Sequence, residues 1–182
     1  YRSIDTGPLK PMDRFPVPQG GRPASFSAVM GGTPTGSGPA IARADWHETA
    51  GWLSPEEINE LCQRGTEKRQ RDRLAGRVAA KRAVSELTGA PAEAIQIRSR
   101  ASGEPFAIVD THRLIYISIS HRDGRAIAIA DHSRIGIDLE GIERRDAVFL
   151  DTWFRQDEQR LVRSQDLFGT VAWSVKEAVL KV

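Results

Sequence analysis

Two carboxylates separated by one residue, Asp138 and Glu140, are the first groups in this chain whose type and spacing could do chemistry. They lie in the run Ile135-Gly-Ile-Asp-Leu-Glu140, where apolar residues alternate with glycine or acidic residues. Alternate side chains of a strand share a face, so the two carboxylates would lie about 7 Å apart, away from the core. They could flank one hard cation, with Gly136 leaving room for a ligand. A solvated strand edge explains the same pattern.

A third carboxylate, Glu177, lies on a predicted helix close to the last residue, in Trp173-Ser-Val-Lys-Glu-Ala-Val-Leu-Lys181. Glu177 and Lys181 are four residues apart and share one helix face, where a surface ion pair is the simplest explanation. If the fold brings Glu177 to Asp138 and Glu140, three carboxylates would suit Mg²⁺, which binds a few carboxylates together with water and substrate phosphate.

Basic residues form a row on another predicted helix, over about residues 67–87. At 100° per residue Arg73, Arg77 and Lys81 lie on one line, beside a core-facing line that contains Leu74. Guanidinium groups bind phosphates in a bidentate manner, so the row could hold an anion. A solvated helix face is the alternative.

Ser120 and His121 close an isoleucine-rich strand, in which isoleucines at positions 115, 117 and 119 alternate with polar residues. At the rim of a sheet, His121 could donate a hydrogen bond to a phosphate or an amide. A histidine that only caps the loop remains the alternative.

The elements that must position these groups follow from periodicity and caps. Ser54-Pro55-Glu56-Glu57 is a capping box that begins a short helix, and the basic helix ends at Gly89. Strands are predicted over 95–98, 106–109, 115–120, 125–130 and 134–140, followed by helices with breaks near Phe154 and Gly169. Helices, then neighbouring strands, then helices indicate an α+β fold with antiparallel pairs.

Composition excludes several classes. The 182 residues include one cysteine, Cys62, which rules out an internal disulfide. Their net charge of +2 gives no case for nucleic-acid binding from charge alone. No run of about 18 apolar residues is present, so we expect no membrane span and a cytoplasmic setting. Zinc-ligand spacing, a phosphate-binding glycine loop and a Gly-x-Ser-x-Gly elbow are also missing.

Residues 1–45 contain seven of the ten prolines and seven of the sixteen glycines. No helical or strand period is visible there, so we predict a linker or a segment that wraps over a folded body. The first residue is Tyr1, which suggests a piece of a longer polypeptide.

Five short motifs in this order and spacing resemble the 4′-phosphopantetheinyl transferases: Leu74-Ala-Gly-Arg77-x-Ala-Ala-Lys81, Gly103-Glu-Pro105, Ile119-Ser-His121, Gly136-Ile-Asp-Leu-Glu140 and Trp173-Ser-Val-Lys-Glu-Ala178 with Lys181. The resemblance covers roughly residues 53–182 and is nearer to the surfactin and enterobactin type. It implies two pseudo-twofold-related α/β halves with small antiparallel sheets, over 46–130 and 131–182. The second half would be truncated at Val182, because relatives continue with a turn and further strands.

The resemblance also implies an activity. Such enzymes transfer the phosphopantetheine arm of coenzyme A to a serine of an acyl or peptidyl carrier protein and release adenosine 3′,5′-bisphosphate. By similarity Asp138, Glu140 and Glu177 would bind Mg²⁺, with Glu177 also taking the serine proton and Lys181 contacting phosphate. Coenzyme A would be bound by the remaining candidates, which are Arg73, Arg77, Lys81, Ser120 and His121.

The implied partner is a carrier domain, for which Phe149, Trp153 and Phe154 are candidate contacts, although core packing is the commoner role of such aromatic residues. The linker-like start fits a domain integrated in a polyketide or fatty-acid synthase, and the implied state is a monomeric pseudo-dimer. Two other functions stay open: a non-catalytic carrier-docking domain, and a nucleic-acid-binding module that uses the basic helix.

Overall fold

The computed structural model describes residues 26–27, 38–63, 65–110 and 113–182. Helices and strands alternate in blocks, which confirms the predicted α+β class. In chain order the elements are β1 (Phe26–Ser27), β2 (Ala40–Asp45), α1 (Pro55–Cys62), α2 (Glu67–Thr88), β3 (Ile95–Ser99), β4 (Pro105–Val109), β5 (Arg113–Arg122), β6 (Arg125–Asp131), β7 (Glu140–Gly141), α3 (Ala147–Trp153), α4 (Gln156–Val162) and α5 (Asp166–Leu180).

The main sheet has five antiparallel strands in the order β2-β6-β5-β4-β3, and β1 pairs with β7 in a second, two-stranded sheet. Helix α2 packs on one face of the main sheet, which we call the α2 face. Alanines on both partners let helix and sheet approach closely, and buried isoleucines of β5 fill the space between them. The predicted alternation of isoleucines along β5 is confirmed, because Ile115 and Ile117 are buried in this core.

The opposite face of the sheet, which we call the Asp138 face, is covered by residues 134–139. Ile127 and Ile129 of β6 pack there against Ile137, with two further apolar residues of the segment, Ile135 and Leu139, beside them. The predicted inward direction of these apolar residues is confirmed. The predicted outward direction of Asp138 is wrong, because its side chain is buried and accepts a hydrogen bond from Ser120 of β5. The predicted strand over 134–140 is wrong up to Leu139, because the segment pairs with no strand of the described residues and only Glu140–Gly141 forms β7.

Local signals placed the first two helices accurately. The Ser54 hydroxyl accepts from the Glu57 N–H at 3.2 Å and the Glu57 carboxylate accepts from the Ser54 N–H at 3.1 Å, so the predicted capping box is confirmed. Gly89 ends α2 in the left-handed conformation, with φ of 74°, which a glycine adopts without strain. The basic helix therefore has the predicted extent within one residue.

Two boundaries differ from the predictions. Residues 40–45, assigned to the linker or wrapping segment, form the edge strand β2 paired with β6, because their small residues fit against α2; residues 1–25 and 28–37 of that segment lie outside the described residues. The predicted break near Phe154 is confirmed as the end of α3. The predicted break near Gly169 is wrong, because α5 begins at Asp166 and runs through Gly169.

Within the described residues, no helix is long and apolar enough to cross a membrane.

Candidate active site

Asp138 is the most deeply buried of the predicted site carboxylates, with 6% of its surface exposed. One of its oxygens, Oδ1, accepts hydrogen bonds from the Ser120 hydroxyl at 2.9 Å and from Lys181 Nζ at 2.8 Å. Lys181 also donates to the carbonyl oxygen of Ile137 at 3.1 Å. Strand β5, segment 134–139 and helix α5 thus meet at this carboxylate.

Burial by itself would raise the pKa of Asp138, but hydrogen bonding and charge from Lys181 outweigh it. Together with hydrogen bonds from Ser120 and Ser174, they hold the pKa of Asp138 below its ordinary value. The carboxylate is therefore ionised at neutral pH. Its second oxygen, Oδ2, is buried and has no hydrogen-bond partner among the described residues. A buried, ionised oxygen without a donor is costly, and it marks a place where a cation or donor fits.

Gly136 has a different role from the predicted one. A Cβ at this position would lie 1.8 Å from the carbonyl oxygen of Ala178, so only glycine lets the backbone of α5 approach here. The glycine makes room for a helix, where the sequence indicated room for a ligand. This close approach brings Lys181 and Ser174 to Asp138.

Glu140 is held by two arginines that the sequence analysis did not select. Arg122 Nη1 donates to its Oε2 at 2.9 Å and Arg145 Nη2 at 3.2 Å, and both arginines also contact Glu143. One signal could have identified Arg122. It follows Ser120 by two positions on β5, and alternate residues of a strand share a face.

Glu177 is half-buried on α5 and makes no hydrogen bond or ion pair within the described part of the chain. Among the described residues, no group of three or more His, Cys, Asp or Glu side chains is arranged to hold a metal ion. The three predicted ligands are thus not gathered into one cluster. The chemistry of Asp138 nevertheless fits a hard cation, because an ionised carboxylate presents an oxygen without a partner.

The structure does not bring Arg77 and Lys81 of the basic row to the carboxylates, because α2 lies on the other face of the sheet. Lys81 is buried and its Nζ lies 2.7 Å from Oε2 of Glu57, while Arg77 Nη1 lies 3.7 Å from Oε1 of the same residue. Desolvation lowers the pKa of Arg77, although the charge of Glu57 opposes the change. Both cations line a cleft of about 940 Å³ between α1, α2 and β3. Arg73, nearer the start of α2, packs beside Gly65.

Ser120 and His121 point to opposite faces of β5. Ser120 contacts Asp138, whereas His121 lies on the α2 face with Nδ1 3.7 Å from Oδ2 of Asp72. Asp72 is itself buried on α2, and its Oδ1 accepts from the backbone N–H of Gly124 at 2.7 Å. Residue-by-residue alternation of a strand requires this separation. Both residues lie near the end of β5, just before the turn into β6.

Comparisons with known proteins identify part of the chain. A family model described as the 4′-phosphopantetheinyl transferase superfamily matches residues 134–182. No curated protein matches the chain.

Among the solved structures that are similar to this chain, three cover about half of it. A holo-(acyl-carrier-protein) synthase from Bacillus anthracis in complex with CoA (3′,5′-ADP) is 24% identical with a TM-score of 0.43, and covers 51% of this chain and 92% of its own. A holo-[acyl-carrier-protein] synthase from Neisseria meningitidis is 21% identical with a TM-score of 0.40 and coverages of 51% and 94%. A Helicobacter pylori synthase in complex with coenzyme A is 20% identical with a TM-score of 0.39 and coverages of 51% and 97%.

The family match contains Asp138, Glu140, Glu177 and Lys181. The resemblance to the 4′-phosphopantetheinyl transferases is therefore confirmed for the segment that carries these residues. The subtype with two pseudo-symmetric halves stays a prediction, as does the division at residues 46–130 and 131–182.

Proposed function

We propose that the protein transfers the 4′-phosphopantetheine arm of coenzyme A to a serine of an acyl or peptidyl carrier protein and releases adenosine 3′,5′-bisphosphate. One observation carries the proposal: a buried, ionised carboxylate, Asp138, presents an oxygen without a partner inside the segment that matches the transferase superfamily. The solved structures in complex with coenzyme A are consistent with this substrate, since they belong to holo-(acyl-carrier-protein) synthases.

In this reaction the hydroxyl oxygen of the carrier serine attacks the β-phosphorus of coenzyme A, and the bond from that phosphorus to the bridging oxygen of the diphosphate breaks. The bridging oxygen leaves as part of the bisphosphate. We assign Glu177 as the base that takes the serine proton, because it is half-buried and makes no hydrogen bond or ion pair within the described residues. Lys181, on the same helix face, carries the charge that would stabilise the leaving phosphate.

Asp138, Glu140 and Glu177 would hold Mg²⁺. When bound, the cation neutralises charge on the diphosphate during transfer. Asp138 supports this assignment most directly, through its ionised state and its unpartnered Oδ2. Arg122 and Arg145 form ion pairs with Glu140 in the described structure and neutralise its charge.

For coenzyme A we assign Arg73, near the start of α2, and His121, near the end of β5. Arg77 and Lys81 stay predictions from the sequence resemblance. Their contacts with Glu57 support a role in joining α1 to α2.

The carrier protein is proposed to bind along α3. Trp153 is 50% exposed and Val148 is 75% exposed, so this short helix presents apolar surface, whereas Phe154 is buried in the cluster beneath it. The ring of Phe149 contacts the ring of Trp173 edge-on. Of the three candidate aromatics, Trp153 supports partner binding and Phe154 belongs to the core. Integration in a larger synthase, the pathway, the monomeric state and the cytoplasmic location rest on the sequence alone.

The nucleic-acid alternative loses its main support. Several cations of α2 face carboxylates: Lys81 faces Glu57, Lys68 faces Asp123 and Arg82 faces Glu48. A polynucleotide is bound by a positively charged face, which releases the counterions condensed on the nucleic acid. We therefore propose no nucleic-acid partner.

The deciding experiment mixes the protein with a carrier domain, coenzyme A and Mg²⁺ and follows the carrier by intact mass. We expect the mass to rise by one phosphopantetheine group, with adenosine 3′,5′-bisphosphate formed in equal amount. A carrier whose serine is replaced by alanine is the control. A folded protein that binds carriers but modifies none would establish the docking-domain alternative.

A further inference from the structure

Two serines of β5 bind the segment that carries Asp138. Ser118 and Ser120 are two positions apart, point to the Asp138 face and are 3% and 9% exposed. The Ser118 hydroxyl accepts from the backbone N–H of Ile137 at 3.2 Å, and the Ser120 hydroxyl donates to Oδ1 of Asp138 at 2.9 Å. Among the described residues no strand pairs with residues 134–139, so such single contacts help to fix the segment on the sheet.

The hydrogen bond from Ser120 also determines which oxygen of Asp138 is available. Ser120 and Lys181 both donate to Oδ1, which leaves Oδ2 without a partner among the described residues. A carboxylate held on one oxygen from two directions has little freedom to rotate. Removing Ser120 would leave Lys181 as the remaining donor to Oδ1, on a long side chain that can follow the carboxylate as it turns.

We propose that Ser120 is a positioning residue, which holds Asp138 so that Oδ2 faces a divalent cation. The inference rests on the proposed function. It differs from the contact that the sequence resemblance implied, in which Ser120 itself touches coenzyme A. Groups that orient a metal-binding carboxylate change cation affinity about 10-fold to 100-fold when they are removed. Groups that touch coenzyme A change the affinity for the nucleotide.

The test measures Mn²⁺ binding to the protein alone by calorimetry, and coenzyme A binding separately in EDTA. We expect Ser120→Ala to weaken Mn²⁺ affinity at least about tenfold and to leave coenzyme A affinity within about twofold. Ser120→Thr, which keeps the hydroxyl, should restore most of the Mn²⁺ affinity. Ser118→Ala is the matched control, because it removes a buried serine from the same face without touching the carboxylate, and we expect it to change Mn²⁺ affinity by less than about threefold.

Ser120→Cys replaces the alanine variant if that variant does not fold, since the thiol fills the same space and is a weaker donor. Unchanged Mn²⁺ affinity, or a loss of coenzyme A affinity in EDTA, would overturn the inference. Carrier modification by the parent protein is measured in the same preparations. An active parent whose Ser120 variants bind Mn²⁺ normally would refute the inference alone, whereas an inactive parent would refute the proposed function. A parent that binds no Mn²⁺ would refute the inference and the metal assignment together.

Discussion

The two faces of the main sheet differ in the groups that they bury and in whether those groups have hydrogen-bond partners. On the α2 face, alanines and isoleucines pack closely and the buried cation Lys81 is matched by Glu57. On the Asp138 face, a smaller apolar cluster borders two buried serines and a buried carboxylate whose Oδ2 has no partner among the described residues. Buried polar groups are normally satisfied. The difference supports our proposal that the Asp138 face performs the chemistry, whereas the close packing of the α2 face stabilises the fold.

The largest effect is expected from removing the charge of Asp138. Asp138→Asn keeps the shape of the side chain, so the fold should persist while transfer falls about a thousandfold, since several kcal/mol of charge stabilisation is lost. Initial rates of carrier modification, followed by intact mass, measure the change. Asp131→Asn is the control, because Asp131 is a half-buried carboxylate outside the proposed site that accepts hydrogen bonds from its neighbours His132 and Ser133. Activity of Asp138→Asn within tenfold of the parent would place the chemistry elsewhere.

A second prediction concerns two glycines, one on each face. Gly136→Ala should cost about 3 kcal/mol or more of unfolding free energy, because the new Cβ would meet the backbone of Ala178 at 1.8 Å. Gly76→Ala should change stability by less than about 1 kcal/mol, because a gain in helix propensity offsets a contact with the side chain of Ile119. Urea denaturation measures both. Equal effects would show that α5 can shift away from Gly136 without cost.

Local patterns predicted most of the main sheet and both early helices. The capping box at Ser54 and the glycine after Thr88 are signals that the nearby backbone satisfies by itself. The alternation over residues 135–139 predicted the correct inward side chains but the wrong element. Strand pairing depends on whether a neighbour is free to pair, and the pattern of one segment carries no information about that.

The candidate site was predicted in part. Spacing selected Asp138, Glu140, Glu177 and Lys181, and the structure joins Lys181 to Asp138. Spacing along the chain could not show that α2 lies on the far side of the sheet from these residues. The side on which a helix packs is a property of the whole fold. Glu57 was identified as a helix cap, and nothing in its local sequence indicated that it also binds Lys81.

The third prediction tests the role of Lys81. Lys81→Met should cost about 1–3 kcal/mol, because Glu57 loses a hydrogen-bonded partner in a half-buried position. We expect the KM for coenzyme A to stay within about twofold of the parent value. A double-mutant cycle with Glu57→Gln should give a coupling energy above about 0.5 kcal/mol. A large rise in this KM with unchanged stability would restore the coenzyme A contact implied by the resemblance.

The smallest effect is expected at Lys68, where an ion pair lies in solvent at the rim between the two faces. Its Nζ is 2.9 Å from Oδ1 of Asp123, yet both side chains are 68% exposed. The hydrogen bond with Lys68 lowers the pKa of Asp123, so any contribution of the pair is present above the ordinary pKa of an aspartate and is lost as the pH falls through the lowered value. Water screens such pairs, so Lys68→Ala should leave the thermal midpoint at neutral pH within the scatter of replicate measurements. Lys68→Ala could instead destabilise the protein as much as Lys81→Met. Burial would then not determine which cations of α2 stabilise the fold.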